Sequence, residues 1–294
     1  MNITSKHIEQ LKSKGITEDQ VNNQLMLFKS GLPHINLKSA ASLGDGICEF
    51  SEIEKQEYIN YYESRKDTLG LMKFVPASGA ATRMFRFLFQ FLNGYNIEKE
   101  SINSYINRNK ATELSLFFVG LEKLPFYNTV LQMVKQNAPD YNTLSNNQKM
   151  VLIIKTLLEE DKLNYSFYPK GALPFHKYKD HVATAFEEHL FESALYASSN
   201  NVANLHFTIS EKHHTVFNEE FSRIQTIVEQ KTKTKFNITF SYQNESTDTI
   251  AVTLDNEPLI NKNEDLYFRP SGHGALLSNL NALDADVIFI KNID

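Results

Sequence analysis

The sequence contains a single cysteine and no long uninterrupted apolar run. Cys48 alone cannot form an internal disulfide or a cysteine-based zinc site. The Phe-rich run Met84–Leu92 is interrupted by Arg86 and Gln90, and it falls far short of the roughly 18 apolar residues that a membrane span requires. The polar N-terminal residues lack the apolar stretch of an export signal. We therefore expect a cytoplasmic protein without a membrane anchor.

The sequence also lacks an excess of basic residues. Thirty Lys and Arg residues against thirty-five Asp and Glu residues give a formal net charge of -5. Because nucleic-acid binders neutralise phosphates with a basic surface, this balance predicts no nucleic-acid partner, although a local site for a small anion is still allowed. No repeat or Pro/Gly/Ser-rich linker divides the chain. Its 294 residues, 41% of them hydrophobic, are sufficient for a large core.

The pattern of capping and apolar residues predicts an α/β protein. Thr17 and Gln20 have the spacing of a capping box, which marks a helix start. Ser51 and Glu54 repeat that spacing, so residues 1–70 are predicted to form a helical N-terminal extension. Residues 71–294 are predicted to form an α/β domain with a helical insertion at 97–160. Alternating helices and strands favour one mainly parallel sheet covered on both faces. The predicted strands are Leu71–Val75, Val202–Ile209, Phe236–Tyr242, Thr249–Leu254 and Val287–Ile290.

Two groups of residues are interpreted as structural. A helix is predicted to start after Asp180, a capping residue type, with apolar residues at helical spacing from Val182 onward. His189 falls on the apolar face of that helix, and its neighbours do not make the His-Glu-x-x-His spacing of a zinc enzyme, so we interpret it as a core or interface histidine. The alternate phenylalanines from Phe85 to Phe91 are interpreted as core residues.

The segment Pro76–Met84 joins the first predicted strand to a helix predicted from about Thr82 to Leu92. Unpaired N–H groups at such a turn favour a phosphate, and small residues let it approach closely. The segment is neither a Walker loop nor a dinucleotide fingerprint, because it lacks Gly-Lys-Ser/Thr and has only one glycine, Gly79. A tight turn that packs Ala80 and Ala81 under the sheet is an equally good interpretation of this segment alone.

Two further loops carry candidate ligand-binding residues. In Tyr168–Lys177, two prolines and a glycine predict an extended loop that holds Lys170 in a restricted backbone, where its charge could neutralise a phosphate. In Arg269–Gly274, two glycines allow positive φ and close ligand approach around His273. Each loop alone is interpreted more simply, as a solvated lysine or as a helix-entry turn.

Together, these segments resemble the nucleotidyltransferases that make nucleotide-sugars, particularly the eukaryotic-type UDP-sugar pyrophosphorylases. Gly79–Arg83 is similar to their Gly-x-Gly-Thr-Arg loop, and Pro169–Pro174 to their Pro-Lys-Gly-x-x-Pro segment. Phe240–Gln243 resembles a strand that ends in glutamine, and Pro270–Gly274 resembles the turn that binds the nucleobase. Asn292–Asp294 resembles a strand-end step whose aspartate holds magnesium.

The resemblance, which spans about residues 71–294, implies a GT-A-like fold. It implies transfer of a nucleotidyl group from a nucleoside triphosphate, such as UTP, to a sugar 1-phosphate with release of pyrophosphate. Arg83 and Lys170 would then act on the polyphosphate and the transition state, and Asp294 would hold Mg²⁺. The residues that it assigns to nucleotide binding are Ala77, Ser78, Gly79, Ala80, Ala81, Thr82, Gln243, Gly272, His273 and Gly274.

Two features depart from the family pattern. Ala81 carries a methyl group where the second glycine of the family loop stands, and the chain stops at Asp294, before the half that usually binds the sugar phosphate. We therefore expect the nucleotide-binding part of a longer protein, from an uncharacterised bacterial family with these motifs, that binds uridine nucleotides weakly and forms little nucleotide-sugar. Two alternatives stay open. The chain could be a non-catalytic sugar-nucleotide sensor, or a GT-A glycosyltransferase, which would not need the Thr-Arg loop.

Overall fold

The structure is a computed structural model that describes residues 4–294. It is an α/β fold whose helices begin and end as follows: α1 Ser5–Lys14, α2 Glu18–Ser30, α3 Glu52–Arg65, α4 Arg86–Gly94, α5 Ile102–Asn109, α6 Thr112–Gly120, α7 Tyr127–Asn137, α8 Asn146–Leu158, α9 Ala185–Tyr196, α10 His214–Thr232 and α11 Leu277–Asn281. Within residues 4–294, no helix combines the length and the apolar character needed to cross a bilayer.

The strands form one larger sheet and three two-stranded ladders among the described residues. They are β1 Ser42–Leu43, β2 Gly46–Ile47, β3 Leu71–Pro76, β4 Pro174–Lys177, β5 Val182–Thr184, β6 Ser198–Ser199, β7 Val202–Ile209, β8 Lys235–Tyr242, β9 Thr249–Ile250, β10 Phe268–Arg269 and β11 Val287–Ile290. The strands predicted at residues 202–209 and 287–290 therefore have the predicted bounds. The strand predicted at 249–254 is shorter: β9 ends at Ile250, Val252 forms an isolated bridge with Pro258, and the chain turns between Thr253 and Glu257.

The larger sheet is mixed. Its five strands follow the order β11-β3-β7-β6, with β8 also pairing with β7. β3 and β7 are parallel, with Val75 opposite Phe207, whereas β6 and β7 are antiparallel. Along β3 and β11, Val287 N donates to Gly70 O and Lys291 N donates to Phe74 O, a constant offset that is typical of a parallel pair. The α/β class is confirmed, and four of the five predicted strands share this sheet, but β9 pairs antiparallel with β10 outside it. The expected mainly parallel sheet is a mixed one.

The described chain divides into two compact units. The first comprises the chain up to Leu71 together with Ser241–Ile288. In it, α1 and α2 bury apolar residues against Ile250 and Leu266. The N-terminal helices thus belong to the same unit as residues 241–288, whereas the sequence analysis placed a boundary at residue 70. Both predicted capping boxes are present, at Thr17 and at Ser51.

The second unit comprises Met72–Phe240 and Phe289–Asp294. One of its core clusters joins α4 to the helices α5–α8, and it buries Phe85 and Phe91. Residues 97–160 are therefore helical, as predicted, and the interpretation of the phenylalanines as core residues is confirmed. The other cluster packs α9 and α10 on the sheet, with Phe186 and Phe217 beside Phe207 of β7.

The predicted start of α9 at Asp180 is wrong. The helix begins at Ala185, and the Thr184 side chain is its cap, accepting a hydrogen bond from Glu187 N at 3.1 Å. Asp180 instead lies in the turn between β4 and β5, where Tyr178 N donates to His181 O. The pairing of β4 with β5 holds residues 182–184 in a strand and so delays the helix.

Candidate functional site

The loop after β3 carries three consecutive backbone donors without acceptors. Ala77 N still donates to Thr208 O at 2.7 Å, which extends the β3–β7 pairing by one residue. The next three N–H groups, of Ser78, Gly79 and Ala80, have no hydrogen-bond acceptor among residues 4–294. A Cβ atom added to Gly79 would meet no atom within 4 Å. The loop thus presents free donors beside open space, an arrangement that suits an anion.

The same loop is attached to the Pro169 segment. Ala81 N donates to Tyr168 O at 3.1 Å and Lys170 N donates to Gly79 O at 3.0 Å, so Ala80 and Pro169 form a short antiparallel bridge. Two of the segments that the sequence analysis singled out are therefore in direct contact. The hydrogen bonds fix the backbone of Lys170 relative to the free donors of the loop.

Ala81 and Thr82 have structural partners. Ala81 is fully buried and packs in the cluster with Phe85 and Leu88, so its methyl group does not stand on the open side of the loop. The Thr82 hydroxyl donates to Ser166 O at 2.9 Å. The helix predicted from Thr82 starts later, since residues 81–83 form a single 3₁₀ turn and α4 begins at Arg86.

Lys170 meets Asp294 at the carboxyl edge of the sheet. The Lys170 Nζ atom donates to Asp294 Oδ2, although 124 positions separate the two residues. Asp294 follows β11 as Ser78 follows β3, and these two strands run in parallel, so both chain segments leave the sheet at the same edge. The Lys170 side chain is 26% exposed and that of Asp294 is 55% exposed. Each side chain of the pair can therefore exchange the other for a ligand.

A cavity of about 320 Å³ lies beside this pair, within the second unit. Its lining residues are Met84, Lys170, Phe175, His176, Ala185, Glu188, His189, Glu192, Ile293 and Asp294. Arg83 is exposed and does not line it, whereas its neighbour Met84 does. The structure thus brings Lys170 and Asp294 together but does not place Arg83 at the same cavity. A larger cavity of about 760 Å³, between α4, α7 and α8, contains none of the predicted site residues.

A second ion pair, Lys73 with Glu192, borders the cavity through Glu192. Lys73 is fully buried, and its Nζ atom donates to Glu192 Oε2 at 2.7 Å and to His189 O at 3.3 Å. Burial lowers the pKa of Lys73, and the hydrogen bond to Glu192 opposes that effect. Burial alone would raise the pKa of Glu192, but hydrogen bonds from Lys73 and Tyr196 lower it to about 2. The glutamate is therefore charged at neutral pH.

His189 is buried and also lines the cavity. Its Nδ1 atom has no hydrogen-bond partner and lies 3.7 Å from Glu192 Oε2. Burial, together with the nearby Lys73 charge, lowers the pKa of His189 to about 4, so the imidazole is neutral at neutral pH. The interpretation of His189 as a buried histidine is confirmed, while its place at the cavity was missed. Lys73, a charged residue inside the apolar run Leu71–Val75, is the sequence feature that could have indicated this buried cluster of Lys73, His189 and Glu192.

The residues predicted to bind the nucleobase lie in the first unit. Gln243 Nε2 donates to Thr247 Oγ1 at 3.1 Å, and Ser271 Oγ donates to Thr247 O at 2.6 Å. Gln243 and the turn Pro270–Gly274 are thus joined through Thr247. A Cβ atom at Gly272 or Gly274 would meet nothing within 4 Å. Neither glycine has a positive φ, so the turn does not use the backbone freedom that they allow.

The carboxylates near the cavity are the groups that could hold a metal ion. The described residues contain no group of three or more His, Cys, Asp or Glu side chains arranged to hold an ion. Mg²⁺ differs from most metals in that one or two carboxylates suffice when substrate phosphates complete its shell. Asp294, with an exposed carboxylate at the rim, fits that arrangement.

The chain belongs to a family described as a domain of unknown function (DUF4301), whose model matches residues 4–294. No curated protein and no solved structure matches the chain significantly. The family description names no activity. The arrangement of side chains at the sheet edge is therefore the ground for any functional inference.

Proposed function

We propose that this chain binds the phosphates of a nucleoside triphosphate at the edge of the sheet beyond β3 and β11, and that the site serves nucleotidyl transfer to a sugar 1-phosphate. The observation that carries the proposal is the meeting of Lys170 and Asp294 at a cavity, beside a loop with three free N–H donors. A polyphosphate needs backbone donors, a cation and a carboxylate-bound Mg²⁺. All of these protein groups are within one stretch of the sheet edge.

The sheet supports a GT-A-like assignment in its general form. In open α/β sheets, ligands bind outside the carboxyl ends of the strands. The loop at Ser78 follows β3 and Asp294 follows β11, so both candidate groups lie at that end of the sheet. The nucleobase-binding role of residues 272–274 rests on the sequence resemblance.

In the proposed reaction, an oxygen of the sugar 1-phosphate attacks the α-phosphorus of the nucleoside triphosphate, and pyrophosphate leaves. The N–H groups of Ser78, Gly79 and Ala80 bind phosphate oxygens, and Lys170 neutralises the charge that develops on them. Bound Mg²⁺ would add charge neutralisation, with Asp294 as its protein ligand. Arg83, which is exposed one turn beyond the loop and outside the cavity, is assigned to the phosphates by the sequence resemblance alone. No covalent nucleophile is required.

The ion pair gives this site a coupled response to its ligands. Without a ligand, Lys170 and Asp294 satisfy each other. Phosphate alone must remove Lys170 from Asp294, and Mg²⁺ alone must remove Asp294 from Lys170. When both bind, each charged side chain gains a new partner, so the nucleotide and Mg²⁺ strengthen each other's binding.

The proposal is tested by calorimetric titration of UTP with and without Mg²⁺. We expect Lys170→Ala to weaken binding of Mg²⁺ and UTP by at least about tenfold, since a charge-assisted hydrogen bond is lost. Asp294→Asn should remove the enhancement by Mg²⁺ without weakening Mg²⁺-free binding, because it frees Lys170. Lys179→Ala, at an exposed lysine outside the cavity, is the matched control.

A pyrophosphate-release assay over a panel of sugar 1-phosphates separates transfer from binding alone. Release that depends on both UTP and a sugar phosphate supports transfer. Binding without release would indicate a nucleotide-binding module. If no nucleoside triphosphate binds at all, the nucleotide assignment itself is wrong.

A further inference from the structure

Helix α3 and the segment before it carry apolar side chains that the chain itself does not cover. Within residues 31–65 no side chain is buried, and all but Tyr62 are exposed. Three aliphatic side chains there are at least 80% exposed: Leu32, Ile35 and Leu37. A helix of 14 residues is marginal in water unless it packs against another element, and large exposed apolar surfaces mark interaction sites. The stretch is also long enough for a specific interface, which takes about 20–30 residues on each side.

One face of α3 carries a regular stripe of aromatic and charged side chains. Its members follow each other at spacings of four, three and four residues: Glu54, Tyr58, Tyr61 and Arg65. That spacing places them on one side of the helix, as in the contact seam of paired helices. Tyr58 is 61% exposed and Tyr61 is 64% exposed. The Phe50 ring packs edge-on against Tyr58 with 5.4 Å between the ring centroids, so the apolar surface continues in front of the helix.

The two charged members of the stripe are available to a partner. Neither Glu54 nor Arg65 forms an ion pair with another side chain in the described part of the chain. Glu54 accepts the hydrogen bonds from Ser51 N and Ser51 Oγ at Oε2, which leaves its Oε1 atom for a further donor. The Arg65 guanidinium lies 5.8 Å from the centre of the Tyr61 ring, a cation–π contact that leaves its charge without a carboxylate.

The stripe is complementary to a second copy of itself when the two helices run antiparallel. A two-fold axis between residues 59 and 60 places Glu54 opposite Arg65 of the partner subunit, and Tyr58 opposite Tyr61 of the partner subunit. Each of these contacts occurs twice, once on either side of the axis. A parallel pair would instead bring each charge against its own kind, which is unfavourable. We infer that this face of α3 joins two copies of the chain in a closed, two-fold symmetric dimer. The inference is independent of the proposed function.

Sedimentation velocity over a range of chain concentrations tests this contact. We expect the wild-type chain to sediment as a dimer at micromolar concentration. Tyr58→Ala should weaken the dimer by at least about tenfold, because aromatic side chains at the centre of an interface dominate its affinity. Ile59→Ala is the matched control, since Ile59 is 53% exposed but lies outside the stripe, and it should leave the association unchanged. Circular dichroism checks that both variants are folded.

Charge exchange tests the antiparallel arrangement. Arg65→Glu sets two carboxylates against each other at both ends of the contact, and Glu54→Lys sets two cations there, so each variant alone should be monomeric. The helix keeps its cap in Glu54→Lys, because Ser51 Oγ accepts from the backbone N of residue 54. An equal mixture of the two variants restores opposite charges at both ends and should dimerise. The inference is overturned if the wild-type chain is monomeric throughout, if its dimer withstands Tyr58→Ala and both charge variants, or if the mixture stays monomeric.

Discussion

The two lysine–carboxylate pairs beside the cavity have the same chemistry but differ in the burial of their lysines. Lys73 is fully buried, and its partner Glu192 also receives Lys291 Nζ at 3.2 Å and the Tyr196 hydroxyl at 2.9 Å. Lys170 and Asp294 are both partly exposed. A buried pair that loses one member leaves an uncompensated charge, whereas an exposed pair exchanges freely with water. Burial thus decides which pair holds the fold together and which is available to a ligand.

The strongest test of that difference is Lys73→Met. We expect it to lower the free energy of unfolding by about 1–3 kcal/mol, less than the usual cost of breaking a fully buried pair, because Glu192 is 31% exposed and keeps Lys291. Urea unfolding followed by circular dichroism measures it. The double variant Lys73→Met with Glu192→Leu should recover part of the loss. A loss below about 1 kcal/mol would show that the Lys73–Glu192 pair is no more structural than the Lys170–Asp294 pair.

Acid should destabilise the folded chain through the buried His189. Its pKa is about 4 in the folded chain against 6.5 as the ordinary value, so the unfolded state binds a proton first as the pH falls. Stability from this group is present above about pH 6.5 and is lost towards pH 4, by about 3 kcal/mol in total. Urea unfolding at several pH values should show a shallower decline for His189→Phe than for the wild-type chain. Equal declines would contradict the assignment to His189.

Gly171→Ala tests whether the backbone next to Lys170 supports the fold, independently of the lysine side chain. A Cβ atom at Gly171 would lie 2.8 Å from the buried Phe217 ring and 3.0 Å from Ile293. Because such crowding forces core side chains to move, we expect a loss of about 1–3 kcal/mol. Gly79→Ala is the control, since its Cβ meets nothing, and it should change stability by less than about 0.5 kcal/mol. Thermal and urea unfolding of both variants provide the comparison.

The smallest effect on stability should come from Lys170→Ala. Exposed pairs contribute little, so we expect a change below about 0.5 kcal/mol in the free energy of unfolding, together with the tenfold loss of ligand affinity proposed above. Measuring both quantities on one preparation sharpens the contrast with Lys73. Equal losses of stability and affinity would mean that the Lys170–Asp294 pair is structural.

The sequence predicted those parts of the fold that depend on local patterns. The capping boxes at Thr17 and Ser51 need only neighbouring residues, and the apolar runs of β7 and β11 are bounded by polar ones. Asp180 and Thr184 are both capping residue types, so local pattern could not choose between them. The choice depended on the pairing of β4 with β5, which is a tertiary contact.

The predictions for the site also succeeded or failed according to whether they depended on local patterns. The resemblance assigned Lys170 and Asp294 to one site, but it paired Lys170 with Arg83, and the direct contact of Lys170 with Asp294 was not predicted. Lys73 was passed over because its role depends on Glu192, which lies 119 positions away in the sequence. His189 was placed correctly in the core, but whether a buried histidine also borders a cavity depends on the packing of elements that are distant in sequence.

Because β3 pairs with β11, the two halves of the site are synthesised at different times. Lys291 N bonds to Phe74 O across 217 sequence positions, and a ribosome adds roughly 5–20 residues per second. Roughly 10–40 seconds therefore separate the synthesis of β3 from that of β11. During that interval Lys73 and Glu192 can already pair, and the loop at Gly79 can already bond to Lys170. Lys170 thus gains its carboxylate partner only after β11 has been made, whereas Lys73 and Glu192 can pair earlier.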